Sequence, residues 1–305
     1  MNYLLLRFVE NNNYFGNMNF YLAAIMLGLG FVALGFGIFI SMRIFNIPDI
    51  TTDGSYTLGG VVSAIILVKY NSVPVAITAS IVAGILSGSI TGFIHTKLKV
   101  NALLAGILVM TALYSVNLSL MGRSNIPLIN IPVIYDWLSF IGDTVARQLS
   151  ILMLITFCLI LFLSSLLRTD FGIAMRATGN SEVMVSAMGI DTSKMKIIGL
   201  AISNGLMALS GSLITQYQGF ADINMGIGII ILGLGSVMIG ETLMSLLKIQ
   251  SISGRLFGVI IGTIFFRLIL AFVLSLGIDP NLLKLITALI VLIVVCLPNL
   301  RKVSN

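Results

Sequence analysis

The sequence is poor in charge. Asp, Glu, Lys and Arg make up 9% of its 305 residues and hydrophobic residues 58%, where a soluble domain carries roughly 25% charge. Mean hydropathy is +1.09. A soluble globule cannot hide that much apolar surface, so the chain reads as an all-α polytopic membrane protein. There is a single histidine, His95, in the polar turn "HTKLK", which reads as a structural or surface residue in preference to a catalytic one. The two cysteines, Cys158 and Cys296, each stand in an apolar run without partner spacing. That argues against a disulfide or metal pair and for small buried hydrophobes. No G-x-x-x-x-G-K-[ST], H-E-x-x-H or G-x-S-x-G occurs, so the chain has no visible ATP cradle, zinc-hydrolase helix or nucleophile elbow. No catalytic residue, metal site or cofactor of its own is expected. The N-terminal "MNYLLLRFVENNN" has too short an apolar core and no small-residue cleavage site for a cleaved leader.

What is present is a series of apolar runs, at 20–42, 55–69, 73–94, 100–121, 150–167, 197–217, 224–247, 255–277 and 281–298. They predict eight or nine crossings, the lower figure if one run only re-enters. The net charge of +6 would suit nucleic acid if it were clustered, but the cations sit between the spans. With the N-terminus outside, the inner segments hold Arg43, Lys97, Lys99, Arg168, Arg176, Lys194, Lys196, Lys248, Arg255, Arg301 and Lys302. The outer ones hold Arg7, Lys69, Arg123, Arg147 and Lys284, and Arg267 falls within a span. Eleven cations against five set the N-terminus out and the C-terminus in. The chain then divides into an extracytoplasmic segment 1–19, a first membrane repeat 20–167, a cytoplasmic segment 168–196, a second repeat 197–298 and a tail 299–305.

Two halves of opposite topology are expected. "IPDITTDGSYTLGG" (47–60) has an echo in "FADINMGIGIIILGLG" (220–235), with Asp49 matching Asp222. Glycines at four-residue spacing follow, Gly84, Gly88 and Gly92 in one half and Gly254, Gly258 and Gly262 in the other. Inverted repeats with discontinuous helices favour a transporter, and small residues at that spacing let helices approach closely. The run that begins near Tyr56 rises only ~20 Å to Val68, short of a bilayer core. It spans only if its helix starts near Asp53, below the membrane surface, capped by Thr52 or Asp53, with Ser55 meeting exposed N–H groups. The competing placement is an aqueous cytoplasmic turn followed by a tilted short helix.

Other polar residues inside spans need partners. Arg267 pairs most simply with Glu241 by depth, as a structural ion pair; substrate contact is the alternative. Asn204 and Gln216 are expected to face a cavity. Ala24, Gly28, Gly35, Gly205, Ala208 and Gly211 serve equally as path lining or as packing seams. The inner stretch 168–196 should carry a helix of about eight residues, capped by Asn180 or Ser181, with Glu182 in its first turn and Gly189 as its stop. So short a helix is marginal alone. It is either a solvated surface helix or one that docks on a partner.

The run 171–214, with Phe171–Gly172, Arg176, and the pattern Gly179, Asn180, Ala187, Gly189, Ile190 before "GLMALSGSL", resembles the coupling segment and following helix of bacterial ABC importer permeases of the branched-chain amino acid and ribose type. The resemblance runs from about residue 20 to 298. The stretch "IPDITTDGSYTLGG" and "ILGLGSVMIGE" look closer to a branch linked with tryptophan- or tyrosine-type binding proteins, and that likeness implies an amino acid-like solute, with an aromatic one as a candidate. It implies a permease dimer, two ATPase subunits that hold ATP and Mg, and an extracytoplasmic substrate-binding protein. Gly172, Arg176, Gly179, Asn180, Glu182, Ala187 and Gly189 would couple to the ATPase. Asp49, Thr52, Asp53, Ser55, Asn204, Gln216 and Asp222 would belong to the path. Loops at Asn71, 122–148, Asp222 and Asp279 would meet the binding protein. The residues alone also fit an ion-coupled secondary transporter, with Asp49, Asp53 and Asp222 as ion ligands, and a membrane scaffold that recruits a partner.

Overall fold

A computed structural model describes residues 18–138, 141–249, 251–279 and 282–303. The expected N-terminal segment, Arg7 included, lies almost wholly outside them. Its elements are α1 (Met18–Gly30), α2 (Val32–Ile38) with a π-helical extension (Phe39–Ile44), α3 (Thr51–Tyr70), α4 (Val73–Thr96), α5 (Ala102–Met121), β1 (Asn125–Pro127), a 3₁₀ turn (Ile134–Asp136), α6 (Thr144–Arg168), α7 (Asp170–Asn180), α8 (Glu182–Ala187), α9 (Thr192–Gln218), β2 (Phe220–Asp222), α10 (Ile229–Leu246), α11 (Ile252–Ser275) and α12 (Leu283–Val303). Among the described residues seven helices are long and apolar enough to cross a membrane. To these add α3, as long but opening on "TTDGSYT", and α12, whose apolar part is shorter. The cytoplasmic tail expected from residue 299 begins as a continuation of α12.

The two halves are related by inversion. Their first spans, Asn19–Ile44 and Thr192–Gln218, run in opposite directions through the centre and are 94% and 83% buried, against half or less for the others. Around them the packing repeats. α4 lies on α9, where β-carbons on Gly84, Gly88 or Gly92 would strike the α9 backbone. In the second half α11 lies on α1 and α2, where a β-carbon on Gly28 would strike Ile264 and one on Gly35 would strike Val259 and Thr263. Gly258 and Gly262 let α11 reach the backbone of α10, whereas Gly254 meets only its local turn. These close approaches are what small residues supply where lipid offers no hydrophobic driving force. Of the small residues weighed for the path, Gly28, Gly35, Gly205, Ala208 and Gly211 are packing seams.

At one end, β1 pairs antiparallel with β2, Ile126 opposite Ala221, and Gly219 ends α9 in a left-handed conformation that feeds the ribbon. At the other end α7 and α8 lie between α6 and α9. Cys158 and Cys296 are exposed rather than buried. The outward face of a membrane helix is as apolar as its core, so an apolar neighbourhood does not signal burial.

Candidate functional site

Both interruptions in the helices sit within the bundle. Residues 45–50 leave the π-helical turn and reach inward, so that Ile50 and Thr51 lie against Gly106 of α5 and Asp49 reaches Asn204, mid-way along α9. In the second half the chain leaves β2, turns back, and places Gly226 against the backbone of Asp53. α10 starts there. The early start of α3 at Thr51 gives it 20 residues, ~30 Å of rise, which removes the shortfall expected from residue 55.

The polar start of α3 is tolerated because every group finds a protein partner, as lipid-depth backbone requires. Asp49 Oδ1 accepts from Thr51 N–H (3.0 Å) and Oδ2 from Asn204 Nδ2 (2.7 Å). Ser55 donates to Asn204 Oδ1 (2.7 Å) and lies 2.7 Å from Ser87. Thr51 meets Thr91 at 2.8 Å, and Ser80 donates to the Gly59 carbonyl at 2.8 Å. Together these zip α3 to α4 and α9, each bond contributing on the order of 0.6 kcal/mol. The capping differs from expectation. The N-cap position is Ile50, which has no capping side chain; Asp49 before it accepts from the first N–H of α3, Thr52 Oγ1 donates back to the Asp49 carbonyl (2.8 Å), and Asp53 turns away. Its Oδ2 accepts from Gly228 N–H and its Oδ1 from Ile230 N–H, both at 2.9 Å. A residue in the first turn of one broken helix thus caps the other. Asp222 Oδ1 accepts from Asn224 N–H (2.8 Å), the same kind of two-residue turn that Asp49 makes with Thr51.

A cavity of about 1060 Å³ opens between α1, the β ribbon, the start of α10, α11 and α12. Of the residues expected on the path, Asp222 and the small residue Ala24 line it. Asp49, Thr52, Asp53, Ser55, Asn204 and Gln216 are buried behind its walls, Gln216 accepting from the Ile134 N–H (2.8 Å) and so fastening the 122–148 loop to α9. Arg267 lines the cavity and is 5% exposed. The expected Arg267–Glu241 pair is not formed. Glu241 is salt-bridged to Arg43, and the Arg267 guanidinium lies 4.0 Å from the centre of the Phe31 ring, which stacks on Tyr56 at 5.9 Å and 12°. Sequence depth alone placed Glu241 and Arg267 together; the facing of α10 decides otherwise. Tyr56 and Lys284 also line the cavity and were not singled out beforehand. An arginine inside a span was the available signal.

The residues expected to couple to an ATPase lie at the α7–α8 end. Ser181 caps α8, its hydroxyl accepting from Met184 N–H (3.4 Å), and Gly189 stops it with φ +82°. A second helix, α7, precedes it, capped by Thr169, where one short helix was expected. Gly172 allows the tight α6–α7 turn, and Arg176 donates to its carbonyl (3.4 Å). Gly179 brings α7 onto the Ile44 and Phe45 backbone, and the adjoining Asn46 donates to the Gly179 carbonyl (3.1 Å). The segment is therefore docked on the break before α3. Glu182 accepts from Lys196 (2.5 Å) and from Thr192 (3.2 Å), fixing α8 to α9, and the Lys196 hydrogen bond holds the Glu182 carboxyl below the usual range. On the open side of this short helix and its stop stand Val183, Met184 and Met188, 83%, 60% and 70% exposed. Among the described residues no group of three metal-binding side chains occurs.

A central pair of oppositely directed spans, two broken helices meeting at their N-termini, and a cavity beside them define a polytopic permease. Residues 18–296 match the family model for the branched-chain amino acid transport system / permease component, and the chain belongs to that family. It is the permease component of an ABC-type transport system. It is 39% identical over 268 residues, 88% of each chain, to a tyrosine transport system permease protein of Clostridioides difficile. It is 36% identical to an uncharacterised protein of Rickettsia prowazekii, over 90% of this chain and 96% of that one. A ribose import permease protein of Escherichia coli is 24% identical over 80% of this chain and 74% of its own length. No solved structure matches.

Proposed function

We propose that the chain passes a small, amino acid-like solute inward by alternating access as half of a permease dimer in a bacterial inner membrane. Its N-terminus is outside and its C-terminus inside, on the cation asymmetry. Two ATPase subunits holding ATP and Mg dock at the α7–α8 end, and a substrate-binding protein docks at the β-ribbon end. The observation that carries this is the apolar cluster Val183, Met184 and Met188, exposed on a helix tethered to α9 by Glu182. An exposed apolar knob on an otherwise marginal helix fits a partner's groove. Through Gly179 and Asn46, movement of that knob reaches the break before α3. Against an ion-coupled mechanism, Asp49 and Asp53 each have both carboxylate oxygens engaged by N–H groups.

The test is co-purification of the tagged permease with the ATPase encoded beside it. Val183→Asp with Met184→Asp, and separately Glu182→Lys with Ala187→Pro, should abolish capture while the permease elutes as a folded species. Capture indifferent to both changes, or uptake that persists without ATP, would overturn the proposal.

A further inference from the structure

Arg168 is the last residue of α6, and its guanidinium crosses to α11, where Nη2 donates to Ser253 Oγ at 2.7 Å. Ser253 Oγ also lies 2.9 Å from Ser164 Oγ, one turn back on α6. α6 ends at this point and α11 starts there, so the two run antiparallel, and from the serine pair both enter the bilayer side by side. Back along α6 from Ser164 stand Leu161 and Phe157; onward along α11 from Ser253 stand Phe257 and Ile261. Spacings of three and four residues put each set on one helix face, beneath its serine. All four apolar side chains are exposed, whereas Ile160 and Leu256, one position over on each helix, are buried. The seam is thus an apolar furrow running ~10–12 Å into the membrane, close to the ~15 Å that the chains of one leaflet occupy. Its polar groups stand only at the mouth.

That mouth is cationic. Arg168 is exposed, and Lys248 and Arg255, also exposed, flank the start of α11. Among the described residues no carboxylate pairs with any of the three, Asp170 at the opening of α7 included. α11 adds its positive end. The Ser251 hydroxyl takes the Gly254 N–H, while the N–H groups of Ile252 and Ser253 have no acceptor within the helix.

We infer that this furrow is a binding site for an anionic glycerophospholipid: Arg168 and the two serines hold the phosphate, and the acyl chains lie between Leu161 and Phe157 on one side and Phe257 and Ile261 on the other. A phosphate accepts from a guanidinium and from hydroxyls together, and the guanidinium has further N–H donors beyond the one Ser253 receives. A zwitterionic headgroup would bring an ammonium up to Lys248 and Arg255, so the charge of the mouth selects a lipid that is negative overall. The site goes beyond the transport role proposed above and does not depend on it. Only the choice of leaflet, the inner one, rests on the orientation given there.

The chain has a single tryptophan, Trp137, in the 122–148 loop, so the furrow can be given its own reporter. Trp137→Phe combined with Phe257→Trp puts the only indole on the furrow wall. The purified permease is then reconstituted into vesicles of brominated phosphatidylglycerol and brominated phosphatidylcholine, whose bromines quench an indole they touch. Phosphatidylglycerol should be preferred about fivefold over phosphatidylcholine at this position. The same reporter placed by Leu108→Trp, exposed on α5 and about as far along its helix from the same end, should show little preference. Arg168→Gln should bring the furrow preference close to parity, Arg168→Lys should keep part of it, and Ser253→Ala should lower it. Millimolar inorganic phosphate should change nothing, because the chains hold the lipid as well as the headgroup. Thermal unfolding identifies a variant that fails to fold; if Arg168→Gln is one, Ser253→Ala carries the test. An indole in the furrow that neither lipid quenches would mean that protein, such as a second copy of this chain, covers the face, and would overturn the site. So would equal preference at the α5 position, an undiminished preference in folded Arg168→Gln protein, or displacement by inorganic phosphate. ATPase capture is read separately, so loss of the lipid preference leaves the coupling role standing and loss of capture leaves the lipid site standing.

Discussion

Asp53 and Gly228 are 175 residues apart in sequence and 2.9 Å apart in space, the carboxylate of one broken helix accepting the first free N–H of the other. The bond joins the two inverted halves at the point where both helices begin.

That geometry fixes what Asp53 variants do. Asp53→Ala strips two N–H groups of their acceptor at lipid depth and should lower stability by about 1–2 kcal/mol or more. Asp53→Asn keeps one acceptor and should lose about half as much. Thermal unfolding in detergent reads both. If Asp53 were instead an ion ligand, Asn and Ala would stop uptake equally while the unfolding temperature stayed put.

Asp49 and Asn204 make a second long-range pair, fully buried, with Ser55 on the far side of the amide. Asn204→Leu leaves a buried carboxylate with one bond fewer and should cost about 3 kcal/mol. Restoring neutrality in the double variant Asp49→Asn, Asn204→Leu should recover part of that loss. Additive costs in the double variant, measured by unfolding, would mean the two residues act apart.

Gly179 gives a test of coupling distinct from docking. A β-carbon there collides with the Ile44 carbonyl, which α7 needs for its seat on the break. Gly179→Val should therefore leave ATPase capture through α8 intact while reducing uptake about tenfold, since the moving part is detached from the path. Loss of capture together with uptake would place Gly179 in the docking surface instead.

Much of this fold was open to sequence. The apolar runs, the break around Pro48 and Asp49, the echo at Asp222, and the Ser181 and Gly189 ends of α8 all follow from local rules, because hydropathy, capping and glycine chemistry are written in neighbouring residues. What escaped depends on the rotation of one helix against another. Depth along a helix placed Glu241 beside Arg267, but which way α10 faces decides its partner, and a single sequence carries no such phase. Asp53 looked like a cap for its own helix because the N–H groups it accepts from, on Gly228 and Ile230, lie in the other half. Asn204 and Gln216, polar in apolar surroundings, looked like cavity residues, whereas each ties two elements together.

Glu182 predicts a dependence on acidity. Its carboxyl is held low in the folded protein, chiefly by the Lys196 hydrogen bond, so the contact contributes fully above the ordinary glutamate range. The contribution fades as pH falls through the lowered value. Hydrogen exchange of the α8 amides should stay slow from neutral to mildly acid conditions and quicken only below the ordinary glutamate range, after correction for intrinsic exchange. Lys196→Met should remove most of this dependence and leave exchange faster already at neutral pH. The contact is half-exposed, so the change is local and global unfolding should shift little.

Arg43 and Glu241 close the same end of the molecule from opposite halves, Arg43 on the π-helical turn that precedes the break and Glu241 on α10. Arg43 is 47% exposed, so the pair contributes little to folding, on the order of 1 kcal/mol or less. Its position matters more, since π-helical turns recur where a helix must adapt and this one leads directly into the segment on which α7 sits. Arg43→Glu and Glu241→Arg should each lower uptake severalfold with unfolding temperatures nearly unchanged. The charge-swapped double variant should regain a substantial part, because the bridge between halves is restored with its sign reversed. Losses that simply add in the double variant would show that the two charges act independently and that this end is held shut by packing.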